Sequence, residues 1–175
     1  MIDLCVPIER LICRMVGVHA DVEMGGKEYA ACFVLFGLAV TLLLYAILRM
    51  QQFLPRFFPQ YFTTPFSPDL AMNTAVSFST TTTWQAYAGE STMSYFSRMA
   101  GLCAENFLAG AAGLVVGVAF IRGLARQVSD TLGNFWVDLT RGLLWILLPG
   151  ALAGALLLVG QGVPMLQGDL GKGAE

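Results

Sequence analysis

Three runs of about 20 residues carry at most one formal charge, and a chain with that pattern must satisfy a bilayer before anything else. Tyr29 to Leu48 is uncharged between Lys27–Glu28 and Arg49, and about 20 helical residues cross roughly 30 Å of hydrocarbon. Met99 to Ile121 holds Glu105 as its one charge, and Gly142 to Val163 holds none, with Pro149 interrupting it. With 56% hydrophobic and 13% charged residues and a mean hydropathy of +0.65, the chain is too apolar for an ordinary soluble domain. The fold class read from this is all-α integral membrane. A net charge of -2 and the lack of a Lys/Arg cluster with interleaved aromatics argue against nucleic acid as a partner. Cys5, Cys13, Cys32 and Cys103 are scattered without C-x-x-C spacing, so reduced, mostly buried thiols are expected, and His19 reads as an ordinary polar loop residue. Acidic residues interrupt Met1 to Arg14, so no cleavable signal is read there.

The segments between the spans differ in kind. Gln51 to Pro68 is dense in Phe, Tyr and Pro, and Phe57, Phe58, Tyr61, Phe62 and Phe66 are expected at headgroup level as an aromatic belt. Ser67, Pro68 and Asp69 form a helix start: a capping hydroxyl, a ring fixed at helical φ, and an acid at the positive dipole end. The helix they open runs from Pro68 to Phe78 and meets Ser79, Thr80, Thr81, Thr82 and Thr83. About ten helical residues rise only about 15 Å, so this helix enters the membrane and cannot span it. Arg122 to Arg141 carries Val128, Leu132, Phe135, Trp136 and Leu139 at spacings of three and four, which predicts an amphipathic interfacial helix linking two spans. Small residues from Gly101 through Gly117 allow a neighbouring helix to approach the second span closely. The stretch 164–175 reads as a poorly ordered Gly-rich tail. Arg10, Arg14, Lys27, Arg122, Arg126 and Arg141 flank one side, against Arg49, Arg56, Arg98 and Lys172, so the first side is assigned to the cytoplasm and the half-helix to the outer face.

Irregular backbone at membrane depth is tolerated only inside protein or against a water-filled cavity, which makes Ser79 to Gly89 the segment of functional interest. A half-helix aimed at a pore axis presents its negative dipole end, and the carbonyls and hydroxyls of Ser79 to Thr83 are hard oxygen ligands suited to an alkali cation. A flexible Ser/Thr-rich outer loop has the same composition and stands as the alternative. Glu105, about 9 Å along its helix from Met99, lies at filter depth. Its partner is an ion, Arg98, or a hydroxyl from Thr80 to Thr83, unless it reaches water near the helix end. Trp84 and Tyr87 either brace the filter or anchor at the interface.

The stretch "PDLAMNTAVSFSTTTTWQAYAGE" resembles the pore region "FNTAVSFVTNTNWQ.Y.GE" of the potassium-binding subunit family (KdpA) of Kdp-type potassium-transporting ATPases. The similarity continues through "MAGLCAENFLAGAAGLVVGVAFIRGLAR" and "TLGNFWVDLTRGLLWILLPGALAGALLLVGQGV", and upstream through "PIERLICRMVGVHADVEMGGKEYA". It implies a member of the superfamily of K+ transporters, in which four repeats of helix, pore helix and helix surround one pathway. Residues 1–27 would lead in from the cytoplasm and 28–121 would form one such repeat. Residues 122–141 would be the linker helix, and 142–163 would open a second repeat. The resemblance implies K+ held at Thr80, Thr81, Thr82 and Thr83 with Ser79, and filter support or an ion path from Asn73, Trp84, Gln85, Glu105 and Asn106.

The family's subunit is non-catalytic, and the resemblance implies K+ uptake in the bacterial inner membrane, with no cofactor and K+ as the transported ion. The implied partners are a P-type ATPase subunit that hydrolyses ATP, small accessory subunits, lipid, and further repeats of the same subunit. No D-K-T-G or Gly-rich nucleotide loop occurs in these residues. Thr81 and Thr83 stand where the family usually has Asn, and Glu105 where it has Gln. Two other readings fit the chain: a non-conducting membrane assembly module, and a channel made by four copies of one filter.

Overall fold

A computed structural model describes residues 22–51, 53, 65–94, 96–125 and 131–162, with the isolated positions 11, 14 and 17. Its elements in chain order are β1 (Met24–Gly25), α1 (Gly26–Met50), α2 (Pro68–Ser79), α3 (Gly89–Thr92), α4 (Ser97–Ala125), β2 (Thr131–Gly133) and α5 (Phe135–Gly160). Helices α1, α4 and α5 are each long and apolar enough to cross a membrane, so the protein is an all-α membrane protein. Helix α2 has 12 residues, which rise about 18 Å and stop partway. Ser67 caps it, its hydroxyl accepting from the Leu70 amide at 3.2 Å, with Pro68 at the first position as its sequence demands.

Two apolar clusters hold the elements together. At the start of α1, Met24 and Tyr29 pack with Ala111, Ala112, Val115 and Ala119 of α4 and with Phe135 and Leu139 of α5. Phe135 is fully buried and meets Tyr29 edge-on at 5.5 Å and Phe36 at 5.8 Å. At the other end of α1, Leu44 and Leu48 pack on Ala71, Ala75 and Phe78 of α2, with Phe66 and Met93 closing the cluster. Ala71 and Ala75 have no exposed surface, because a helix this short seats on α1 only if its contact face is small. Gly101 does the same for α4: a Cβ there would lie 3.1 Å from Leu44 Cδ1.

A polar cluster ties the first apolar cluster down. Arg122 grips Asp138 in a two-pronged pair, Nη1 to Oδ2 at 2.5 Å and Nη2 to Oδ1 at 2.9 Å, and also donates to the Leu132 carbonyl at 3.1 Å. The Tyr29 hydroxyl donates to the same carboxylate at 3.1 Å. Asn134 caps α5, accepting from Trp136 and Val137 amides while its own amide donates to the Val22 carbonyl. Strands β1 and β2 pair antiparallel beside it.

Three expectations about elements need correction. The stretch 122–141 is not one interfacial helix: α4 continues through Ala125, residues 131–133 are extended, and Asn134 caps a new helix that runs unbroken to Gly160. Phe135, Trp136 and Leu139 do fall on one face, but that face packs on α1 and α4; a three-and-four spacing does not distinguish a lipid surface from a protein neighbour. Val128 lies outside the described residues. Pro149 does not break α5. The turn before it, Gly142–Leu147, is a widened π-helix, which absorbs the missing amide and the ring's clash with the preceding turn. Phe66 is 2% exposed and stacks edge-on against Tyr87 at 4.9 Å, so it belongs to the core. The remaining belt residues Phe57, Phe58, Tyr61 and Phe62 lie outside the described residues, as do Cys5, Cys13, His19 and the tail. Cys32 is half-buried and Cys103 exposed, both as free thiols.

The polar cluster gives two expectations. Asp138→Asn leaves Arg122 without its counter-charge and is expected to cost on the order of 2 kcal/mol. The double change Arg122→Met with Asp138→Leu should cost less than either charge-removing single change, read by thermal unfolding in detergent. Gly133 has φ +107 and its Cβ would fall 2.5 Å from Arg122 Nη1, so Gly133→Ala should lower stability by about 2 kcal/mol. Gly113 faces open space, and Gly113→Ala should gain up to about 1 kcal/mol from helix propensity alone.

Candidate functional site

The site is built on the end of α2. Helix α2 leaves its last carbonyls without intrahelical partners, and the chain that follows turns back to supply them. The amide of Thr80 donates to Val76 O at 3.0 Å, that of Thr81 to Phe78 O at 3.1 Å, and those of Thr82 and Thr83 to Ser77 O at 3.0 and 3.1 Å. The peptide bonds are all trans among the described residues, and in a trans peptide the carbonyl of one residue points opposite to the amide of the next. With the amides of Thr80 to Thr83 aimed at the helix, the carbonyls of Ser79, Thr80, Thr81 and Thr82 turn away from it.

That alternation requires an unusual backbone. Thr81 has φ 59 and Thr83 has φ 54, left-handed values that a β-branched residue rarely adopts. Each costs about 1–2 kcal/mol against the right-handed alternative. The four amide bonds and a fifth, Ser77 Oγ donating to the Trp84 carbonyl at 3.0 Å, hold the strand in this shape. The hydroxyls add local bonds: Thr80 to Val76 O at 2.8 Å and Thr81 to Thr80 O at 2.7 Å. Side chains of Thr80 to Gln85 are exposed, so one side of the strand is open. An open row of carbonyls at the negative end of a helix can offer hard oxygen ligands to a cation.

The sequence-derived residues separate into two groups. Ser79 to Thr83 form the continuous strand, and the Glu105 side chain, 3% exposed, faces the Ser79 hydroxyl. That hydroxyl is one residue before the range expected. Arg98 instead reaches the Gly89 carbonyl on α3. Asn106 does not join Glu105; it is exposed and lines a shallow groove with Phe107 and with Ile146 and Leu147 of α5. Asn73 is exposed on α2, six residues before Ser79. Trp84 is 56% exposed and contributes its carbonyl to Ser77, and Gln85 is exposed. Tyr87 is packed against Phe66.

Sequence reasoning missed Thr41. Its hydroxyl lies 2.6 Å from Ser79 Oγ and 2.7 Å from Gly37 O, which ties α1 to the end of α2. The available signal was a single threonine inside the otherwise apolar run of α1. It missed Gln51 as well, whose amide nitrogen donates to the Thr92 carbonyl at 3.1 Å and so fastens the end of α1 to α3.

Residues 1–170 match the family described as potassium-transporting ATPase A subunit (KdpA). Three curated relatives carry the name potassium-transporting ATPase potassium-binding subunit. The protein of Koribacter versatilis is 53% identical over 157 residues, which is 90% of this chain and 26% of the relative. That of Geobacter metallireducens is 51% identical over 163 residues, 91% of this chain and 27% of the relative. That of Sorangium cellulosum is 52% identical over 157 residues, 90% and 27%. The chain thus spans about a quarter of the length of the relatives it matches. A half-spanning helix that ends in a hydroxyl-rich strand, carried between two spanning helices and matched over 170 of its residues, places the chain in the potassium-transporting ATPase A subunit family.

Proposed function

We propose that this chain supplies one wall of a K+-selecting pathway in the potassium-binding subunit of a Kdp-type transport complex. The observation that carries the reading is the orientation of the four amides of Thr80 to Thr83 into α2, which leaves the carbonyls of Ser79 to Thr82 as a row of ion ligands. One strand presents ligands from one side, so a full cage requires equivalent strands from further repeats. The exposed side of Thr80 to Gln85 is where those repeats would face. Potassium entering from the outer face would be stripped of water there and passed to a P-type ATPase subunit, where ATP is hydrolysed. Small accessory subunits would complete the complex in the bacterial inner membrane. Flanking Lys/Arg residues support the half-helix facing outward. Trp84 and Gln85 would line the mouth beyond the strand. Asn73 would act from α2, and Asn106 from the groove between α4 and α5, at a distance from the ion.

Two measurements test this reading. In the complete subunit in lipid nanodiscs, Thr81→Asn and Thr83→Asn should each relieve about 1 kcal/mol of left-handed strain, since Asn tolerates that conformation. The amide bonds to α2 impose these φ values whether or not an ion is bound, so the gain should appear as stability, with K+ affinity by equilibrium binding unchanged. K+ affinity weakened about tenfold or more would mean that the threonine hydroxyls, not the carbonyl row, hold the ion. The native mass of this chain alone in nanodiscs is expected to be that of a monomer that binds no K+. A tetramer that binds K+ would replace the proposed subunit by a symmetric channel built from four copies of this filter.

A further inference from the structure

At the end of the molecule opposite the filter strand, an open groove of about 410 Å3 runs between the start of α1 and the last turns of α4. Gly26, Ala30 and Phe33 line it from α1, and Phe120, Gly123 and Leu124 from α4, with Leu132 of β2 between the two glycines. Its walls are carbon almost throughout, so it offers no hold to water, which needs about two to four polar partners. Beneath it the two helices touch, Tyr29 packing on Val115 and Ala119. Phe120 and Leu124, 68% and 69% exposed, stand as its rim. Gly26 to Phe33 rises about 10 Å and Val116 to Leu124 about 12 Å, most of the roughly 15 Å that one leaflet contributes to the hydrocarbon.

We propose that this groove binds one acyl chain of a phospholipid in the leaflet at that end, with the lipid phosphate held by Lys27. Shape and charge both select that occupant. Because α1 and α4 are in contact at the floor, the groove is one side-chain layer deep. A helix, about 10 Å across with its side chains, would rest on Phe33, Phe120 and Leu124 and leave the floor bare, whereas a single hydrocarbon chain enters between them. The gain is the dispersion contact that an unfilled floor forfeits. Lys27 follows Gly26 and lies about 60° round the helix from Ala30, at the level where headgroups begin. It is exposed, has no ion-pair partner among the described residues, and its flexible stem lets the ammonium reach a headgroup. The acids nearby are turned away or engaged: Glu28 lies about 160° round from Ala30, Glu23 accepts from the Thr131 hydroxyl, and Asp138 is gripped by Arg122. One uncommitted cation at the mouth of an apolar groove is the complement of a phosphodiester on a hydrocarbon chain.

Photolabelling tests this in the complete subunit, held in phosphatidylcholine nanodiscs doped with phosphatidylglycerol whose acyl chain carries a diazirine. Peptide mapping should place the label on residues 26–33 of α1 and 116–124 of α4. Ala30→Trp fills the groove from an exposed position and should lower labelling there about tenfold or more. Lys27→Gln should lower it about fivefold, the worth of one lysine near a lipid surface. Because Lys27→Gln alters only an exposed side chain, it still reads the site should Ala30→Trp fail to fold. Label spread evenly over all the spanning helices, or labelling that neither variant lowers, overturns the proposal. So does absence of label from these two stretches, since another helix then covers the groove. The outcome is independent of the K+ reading: a subunit that binds no K+ would still take the label, and a K+-binding subunit without the label would retain its filter.

Discussion

A peptide group at membrane depth has no water to bond, and the turn after α2 is arranged around that constraint. Helix α2 ends with unpaired carbonyls, and the strand that follows begins with unpaired amides. Val76, Ser77 and Phe78 accept from Thr80 to Thr83, so one set of bonds removes both deficits. Each unmade bond in hydrocarbon costs several kcal/mol, whereas each left-handed threonine costs about 1–2 kcal/mol. The bonds win, and the strand takes positive φ at Thr81 and Thr83. The outward row of carbonyls is thus a consequence of satisfying the helix.

The rest of the described chain keeps that helix end in place. Leu44 and Leu48 of α1 supply the wall on which α2 lies, and Gly101 lets α4 come close to the same part of α1. Arg49 donates to the Phe66 carbonyl just ahead of the Ser67 cap, so the C-terminal end of α1 also fixes where α2 begins. The opposite end of α1 is held by Tyr29, Phe135 and the Arg122–Asp138 pair. Helix α1 is thereby fastened at both ends, which lets a 12-residue helix keep its position although it cannot span the membrane itself.

Much of this was legible in the residues, and the exceptions have physical causes. Ser67, Pro68 and Asp69 announced α2 because capping chemistry is local, and its length followed from where the Ser/Thr run begins. The three spans were legible from uncharged length, with ends misjudged by a few residues because Asp138, Arg141 and Arg122 sit inside packed helix ends. The linker was misread because Phe135, Trp136 and Leu139 carry a stripe whose partner no single sequence names. Positive φ at Thr81 and Thr83 ran against residue preference, being imposed by the amides' need for α2. Thr41 was hidden because a hydroxyl in an apolar run bonds its own helix carbonyl as readily as a neighbour.

Adjacent residues on a helix point about 100° apart, and α4 uses that to divide its polar pair. Glu105 turns inward toward Ser79, while Asn106 turns to the groove beside α5. A polar pair that reads as one feature in the sequence is therefore two, one buried toward Ser79 and one lining a separate surface. Helix α5 meets the chain mainly through its first turns; from Leu148 onward no residue is buried, and only 6% of its apolar window is covered. Its direction is set by Phe135 and Asp138 at one end, and its remaining faces are apolar surface that lipid or other helices must cover. The strand after α2 is open in the same sense: its amides are engaged on the helix side and the side chains of Thr80 to Gln85 are exposed.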